Sequence, residues 1–195
     1  MVIKKKENIE VKKLETKIIT VKIRSTGTGS MLMNKMDMNV VKKYNKKKAH
    51  KIIKDDTRLE EEKTEDKIHY TKEFNVGFPA SGFGKGINNV APKLGLYKKD
   101  VRSSVRILGD IVALNYKKKD ENETWGRQSG MTKAPMLIIR PEFTDWSCEL
   151  KIMYDSGSIS AEEIINLINL AGFHCGIGAY RPECSGTFGT YEVAV

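Results

Sequence analysis

Long apolar runs are missing from this 195-residue chain. No stretch approaches the roughly 20 residues that span a bilayer. The opening "MVIKKKENIEVKK" lacks the apolar segment of a signal peptide, so no membrane partner is expected. Cysteine is scarce as well. Cys148, Cys175 and Cys184 are odd in number and show no CxxC spacing, which argues against a disulfide framework and a structural zinc site. Reduced thiols fit a cytoplasmic protein. The three histidines, His50, His69 and His174, form no pair at the helix or hairpin spacing of a metal site. Aromatic residues make up only 8% of the chain, and the Gly-Phe-x-Phe pattern of base-stacking RNA-recognition strands is absent.

Charge is what the chain has in quantity. The net charge is +9, and it is unevenly spread. Residues 1–48 hold fourteen Lys/Arg against four Asp/Glu, whereas residues 142–195 hold two against eight. A basic end and an acidic end suggest nucleic-acid binding or head-to-tail association of copies. A Lys-rich surface is the plainer alternative.

The pattern of elements predicts a single α+β domain over 1–195. "KLETKIITVKIR" alternates as a strand, and a "STGTGS" turn and the Met-rich "MLMNKMDM" follow. Residues 40–70 are polar and helix-favouring, and read as an exposed, thumb-like insertion. "VGFPASGFGKGINNVAPKLG" predicts a loop and then a helix near Phe83–Leu94. "KKDVRSSVRILGD" reads as an amphipathic helix with Val101, Val105 and Leu108 on one side and Arg102 and Arg106 on another. "IVALNY" reads as a strand and "ENETWGRQSGMTK" as a loop. "APMLIIRPEF" and "DWSCELKIMYD" predict a hairpin turning through Pro141–Thr144. "SGSISAEEIINLINLAG" predicts a helix capped by Ser160 and Glu163, burying Ile164, Ile165, Leu167, Ile168 and Ala171, with Gly172 at its C′ position. "FHCGIGAY" opens a further strand, and "FGTYEVAV" closes the chain as another. The order is a ferredoxin-like βαββαβ with the insertion after its first strand.

No catalytic constellation is evident, so a non-enzymatic protein without cofactor or metal is expected. Cys175 and Cys184 have no basic partner that would make a nucleophile. "GFGKG" at Gly82–Gly86 lacks Walker spacing. His174 follows the helix cap and reads as a strand-end residue rather than a general base. Phosphate-binding candidates are Lys42, Lys43, Lys46, Lys47 and Lys48 in the insertion, Lys85 in its Gly loop, and Arg102 and Arg106. Arg127, Arg140 and Arg181 lie beside loops. Tyr154 is the single aromatic on the strand "KIMYD". Together these favour a sequence-tolerant backbone binder of single-stranded RNA or DNA. The stretch "GIGAYRPECSGTFGTYEV" raises a separate question. Its glycines suit an ordinary hairpin loop, or a loop shaped around a phosphate chain or a neighbouring subunit.

"MLMNKM", "DVRSSVRILGD", "RPEFTDWSCELKIMYD" and "AGFHCGIGAYRPECSGTFGTYEV" resemble a group of small phage proteins. Those share an "RPEF…W" segment and a closing "GIG.WRPE…G.FG.FEV". The group is more distantly similar to the RAMP superfamily, the backbone subunits of CRISPR effector complexes. The resemblance implies a ferredoxin-like core and copies arranged side by side along a single strand. It places Met31–Asn34 and Gly176, Gly178, Gly186 and Gly189 along the backbone channel. A phage inhibitor that docks on a host defence complex by imitating a subunit is the alternative it leaves open.

Overall fold

The computed structural model describes residues 14–35, 64–127 and 135–194. The chain there is mixed α+β, with three helices and two antiparallel sheets. Residues 36–63, which hold most of the expected insertion, lie outside the described residues.

The larger sheet grows from two long alternating strands. In β1 (Thr16–Ser25), Val21 and Ile23 turn inward while Lys22 and Arg24 stay exposed. In β9 (Ser147–Asp155), Cys148, Leu150, Ile152 and Tyr154 turn inward. Their antiparallel register sets Val21 opposite Leu150 and Ile23 opposite Cys148, so one face is apolar along its length. Around this pair the order is β10 (Tyr191–Val193), β1, β9, β6 (Ile111–Asn115), β4 (Val76–Pro79) and β3 (His69–Tyr70). A short β5 (Val105–Ile107) also pairs with β9.

Helices α1 (Ala80–Val90) and α3 (Ala161–His174) supply the apolar faces that meet this sheet. Phe83, Ile87 and Val90 of α1 and Ile164, Leu167, Ile168 and Ala171 of α3 are buried in one core. The helices meet at Gly86, where a Cβ would sit at ordinary contact distance, 3.5 Å, from that of Ala171. Phe83 and Trp146 both pack edge-on against the Tyr191 ring, at 5.7 and 6.1 Å between centroids. Truncating a buried aromatic of this kind costs about 3–5 kcal/mol.

The smaller sheet is β2 (Ser30–Leu32), β8 (Pro135–Thr144) and β7 (Lys118–Arg127), in that order. Met31, Met33 and Phe143 bury its root against the common core. Here the structure corrects two expectations. "ENETWGR" is strand rather than loop, since β7 pairs with β8 from Lys118↔Thr144 to Arg127↔Pro135. Its alternation of Glu, Asn and Thr carries no apolar period because much of it meets solvent. β8 and β9 are not a hairpin. β8 continues straight through Pro141, whose carbonyl accepts from the Met33 N–H, and the chain then changes sheets at Asp145 (φ 49°). A proline is tolerated in a strand where its missing N–H leaves little of the ladder unmade, and here β2 has ended one residue earlier.

Other boundaries shift too. "VGFP" is strand β4 and the helix begins at Ala80, so Gly82–Gly86 is helical and Lys85 sits on α1 rather than in a Gly loop. Helix α2 (Lys98–Ser104) stops where Val105 turns extended, so Arg102 is on a helix and Arg106 on a strand. β-branched Val105 and Ile107 favour the strand once β9 offers a partner. Ser160 and Glu163 form the expected reciprocal cap. The helix nevertheless runs past Gly172 to His174, and Gly176 (φ 62°) closes it off, its N–H returning to the Ala171 carbonyl. Ile165 is exposed and Gly172 buried, because the buried stripe turns toward β10. "FHCGIGAY" is helix end and loop, and it pairs with a strand at the Leu32↔Ala179 bridge.

Candidate nucleic-acid interface

The Gly-rich stretch folds back on its own chain. Ala179 donates its N–H to the Leu32 carbonyl at 2.8 Å, and Gly189 donates to Ser30 at 2.8 Å. The loop therefore runs along β2. Gly178 (φ 81°) passes so close that a Cβ would stand 2.3 Å from the Leu32 carbonyl oxygen. Gly189 (φ 71°) likewise leaves no room, with the Ile177 oxygen 1.8 Å from a Cβ. Gly176 and Gly186 approach Pro182 and the Tyr180 carbonyl in the same way. Their close approaches are thus to the chain's own loop and strand, and the consequence is a fixed loop that presents particular side chains.

Two of those side chains are Tyr180 and Arg181. Arg181 is engaged internally: its guanidinium donates to the Gly178 carbonyl at 2.9 Å and twice to the Glu183 carboxylate, at 2.8 and 3.1 Å. The paired guanidinium holds the Glu183 carboxyl below its ordinary pKa, with Lys85 and Asn89 adding to the effect. Tyr180 stands over β8, where the Arg140 guanidinium carbon lies 4.7 Å from its ring centre. Arg140 also donates to the Thr124 hydroxyl of β7 at 3.3 Å. Thr124 and then Arg140 act on the phenol oxygen and keep its pKa below the usual tyrosine value. Arg140 Nε and the Oδ1 of Asn122, its cross-strand partner, are sealed from solvent and have no hydrogen-bond partner among the described residues.

Cations also stand within electrostatic reach of this loop. Lys85 of α1 acts on Glu183, and Lys93 and Lys98 act on Cys175 at the loop's start. All three lysines are exposed. Burial raises the Cys175 thiol despite them, so it remains an inert packing group. The open face of the large sheet looks different. There Lys22 pairs with Glu149 at 3.4 Å and Arg24 with Glu192 at 2.7 Å, which cancels much of its positive charge.

Of the residues expected from sequence, Asn34, Arg140, Arg181, Gly176, Gly178, Gly186 and Gly189 lie on or beside this loop and its sheet, and Lys85 faces it. Met31 does not qualify as a contact, because its side chain is fully buried between the sheets. Tyr154 is buried as well. Arg102 and Arg106 are exposed on separate elements, and Arg106 shares the open sheet face with Met153. Arg127 closes β7 opposite Pro135. Lys42, Lys43, Lys46, Lys47 and Lys48 fall outside the described residues. Sequence reasoning missed Tyr180, Lys93 and Lys98. The lysines sit in "APKLGLYKKD", where only the fold of α1 onto the loop makes them neighbours.

Among the described residues, no cluster of three or more His, Cys, Asp or Glu could hold a metal. His69 is driven below its ordinary pKa by burial and by Lys35. His174 ends α3, exposed beside the Phe173 ring. No described helix is long and apolar enough to cross a membrane.

No family model matches the chain, and no curated protein matches it. Among solved structures, Cmr6 from Pyrococcus furiosus is similar over 93% of this chain and 100% of that one, at 9% identity and a TM-score of 0.42. A likeness at that level carries no functional argument.

Proposed function

We propose that this protein is a non-catalytic, sequence-tolerant binder of single-stranded RNA or DNA, built on a ferredoxin-like core of the RAMP type and assembling side by side along the strand. The strand order β10-β1-β9-β6, with α1 and α3 against the apolar face, supports that reading of the core. The observation that carries the function is the gathering of Lys85, Lys93, Lys98 and Arg140 around one rigid loop. Exposed cations held at a fixed loop suit a run of phosphates. The basic N-terminal part and the acidic C-terminal part of the sequence favour copies meeting head to tail.

Replacing Lys85, Lys93 and Lys98 together by Glu tests the placement. Binding to a labelled single strand should weaken strongly. The dependence of log K on log salt should also flatten, by about 0.7 for each phosphate no longer neutralised. The melting temperature should not fall, because all three side chains are exposed. Unchanged affinity and slope would remove the site from this loop.

A second reading, docking on a protein of a host defence complex, is favoured by one feature. Trp125 is 75% exposed and faces Leu137, 41% exposed, across β7 and β8. Tryptophan is among the side chains that most often anchor protein interfaces. In that case Trp125→Ala would abolish partner capture and leave nucleic-acid affinity as it was.

A further inference from the structure

Tyr180 combines three properties that packing alone does not require. Its φ of 49° is left-handed, a conformation that costs a bulky residue about 1–2 kcal/mol. The strain is held in place from both sides. The Phe188 N–H donates to the Tyr180 carbonyl at 3.1 Å, and Gly186 crosses that carbonyl so closely that a Cβ would lie 1.7 Å from its oxygen. The ring is partly exposed, with the Arg140 guanidinium on one side. Among the described residues no other ring packs on it. Strained residues held by their surroundings concentrate where a side chain must be presented to a ligand.

We infer that Tyr180, backed by Arg140, is a stacking platform for one unpaired nucleobase, and that the strand is gripped by this base contact as well as by its phosphates. This rests on the nucleic-acid reading above and adds a base contact to it. The chemistry is direct. A ring with a cation beneath it has a polarised π-face, and every base offers a flat partner, so stacking there is tolerant of sequence. A duplex keeps its bases stacked on one another and cannot supply the partner, so the platform selects single strands.

The test uses the full chain, a labelled single strand as RNA and as DNA, and the same strands carrying abasic sites. Wild-type protein should bind the base-bearing strand more tightly than the abasic one. Tyr180→Ala should lose about 5- to 150-fold in affinity, the range that base–aromatic stacking covers, and should no longer distinguish the two strands. Its salt slope should stay that of the wild type, since every phosphate keeps its cation. Tyr180→Phe and Tyr180→Trp should keep the discrimination. Should Tyr180→Ala fail to fold, the wild-type comparison of base-bearing and abasic strands decides alone. Equal wild-type affinity for the two strands, or Tyr180→Ala binding like wild type, would overturn the platform while leaving the phosphate site standing. Wild-type protein that binds neither RNA nor DNA would overturn the nucleic-acid reading itself.

Discussion

At the scale of single residues, glycine is where this chain shows what its loop requires. Gly189 and Gly95 both have φ near 70°, but their surroundings differ. A Cβ on Gly95 meets nothing within 4 Å, whereas on Gly189 it collides with the Ile177 backbone. Gly95→Ala should therefore cost only the left-handed penalty, about 1–2 kcal/mol. Gly189→Ala adds overpacking against backbone, for a total of about 2–5 kcal/mol. Denaturant midpoints of the two variants check the difference, and equal losses would mean that the close approach is not rigid. The composition of the loop announced its glycines, and Arg140 and Arg181 stand out in the sequence as cations beside loops. The sequence could not show that Gly178 packs on Leu32 or that Tyr180 would be pinned over β8, because those contacts join residues far apart in the chain.

At the scale of elements, legibility followed the local signal. Helix α3 was readable because its cap is written in four consecutive residues, Ser160 to Glu163, ahead of an apolar stripe. The Ser160 backbone N–H, and then its hydroxyl, hold the Glu163 carboxyl below its ordinary value of 4.5. A depressed carboxylate stabilises the fold above that pH, and the contribution disappears as pH falls through the lowered pKa. Ser160→Ala should cost about 1 kcal/mol at neutral pH. It should also narrow the stability difference between solutions above and below pH 4.5. Urea midpoints at two pH values measure both effects, and an unchanged pH response would separate Glu163 from the cap. The β7–β8 hairpin was not readable for the opposite reason. β8 itself reads as a strand, but its proline imitates a turn and the polar alternation of β7 imitates a loop, so only the long cross-strand register reveals their pairing. The small sheet that carries Arg140 was thus hidden, although its residues were noticed singly.

At the scale of the whole molecule, function depends on where the charge lies. The lysines around the Gly-rich loop are exposed, while the open face of the large sheet pairs its Lys22 and Arg24 with acids. In the proposed reading, exposed cations at a fixed loop favour a flexible single strand, which can follow a loop that a stiff duplex cannot. The α+β class and the main apolar strands were legible because period-two alternation survives in β1 and β9. The meeting of Lys85, Lys93 and Lys98 was not, because it arises only when α1 packs beside α3. The most direct test of single-strand binding is fluorescence anisotropy of the full chain with labelled single-stranded RNA, single-stranded DNA and duplex. It is run at two salt concentrations, with particle size followed by light scattering. The expected result is selective binding to single strands that weakens steeply as salt rises, with particles that grow as strand is added. Weak binding that treats duplex and single strand alike, with no growth, would contradict it.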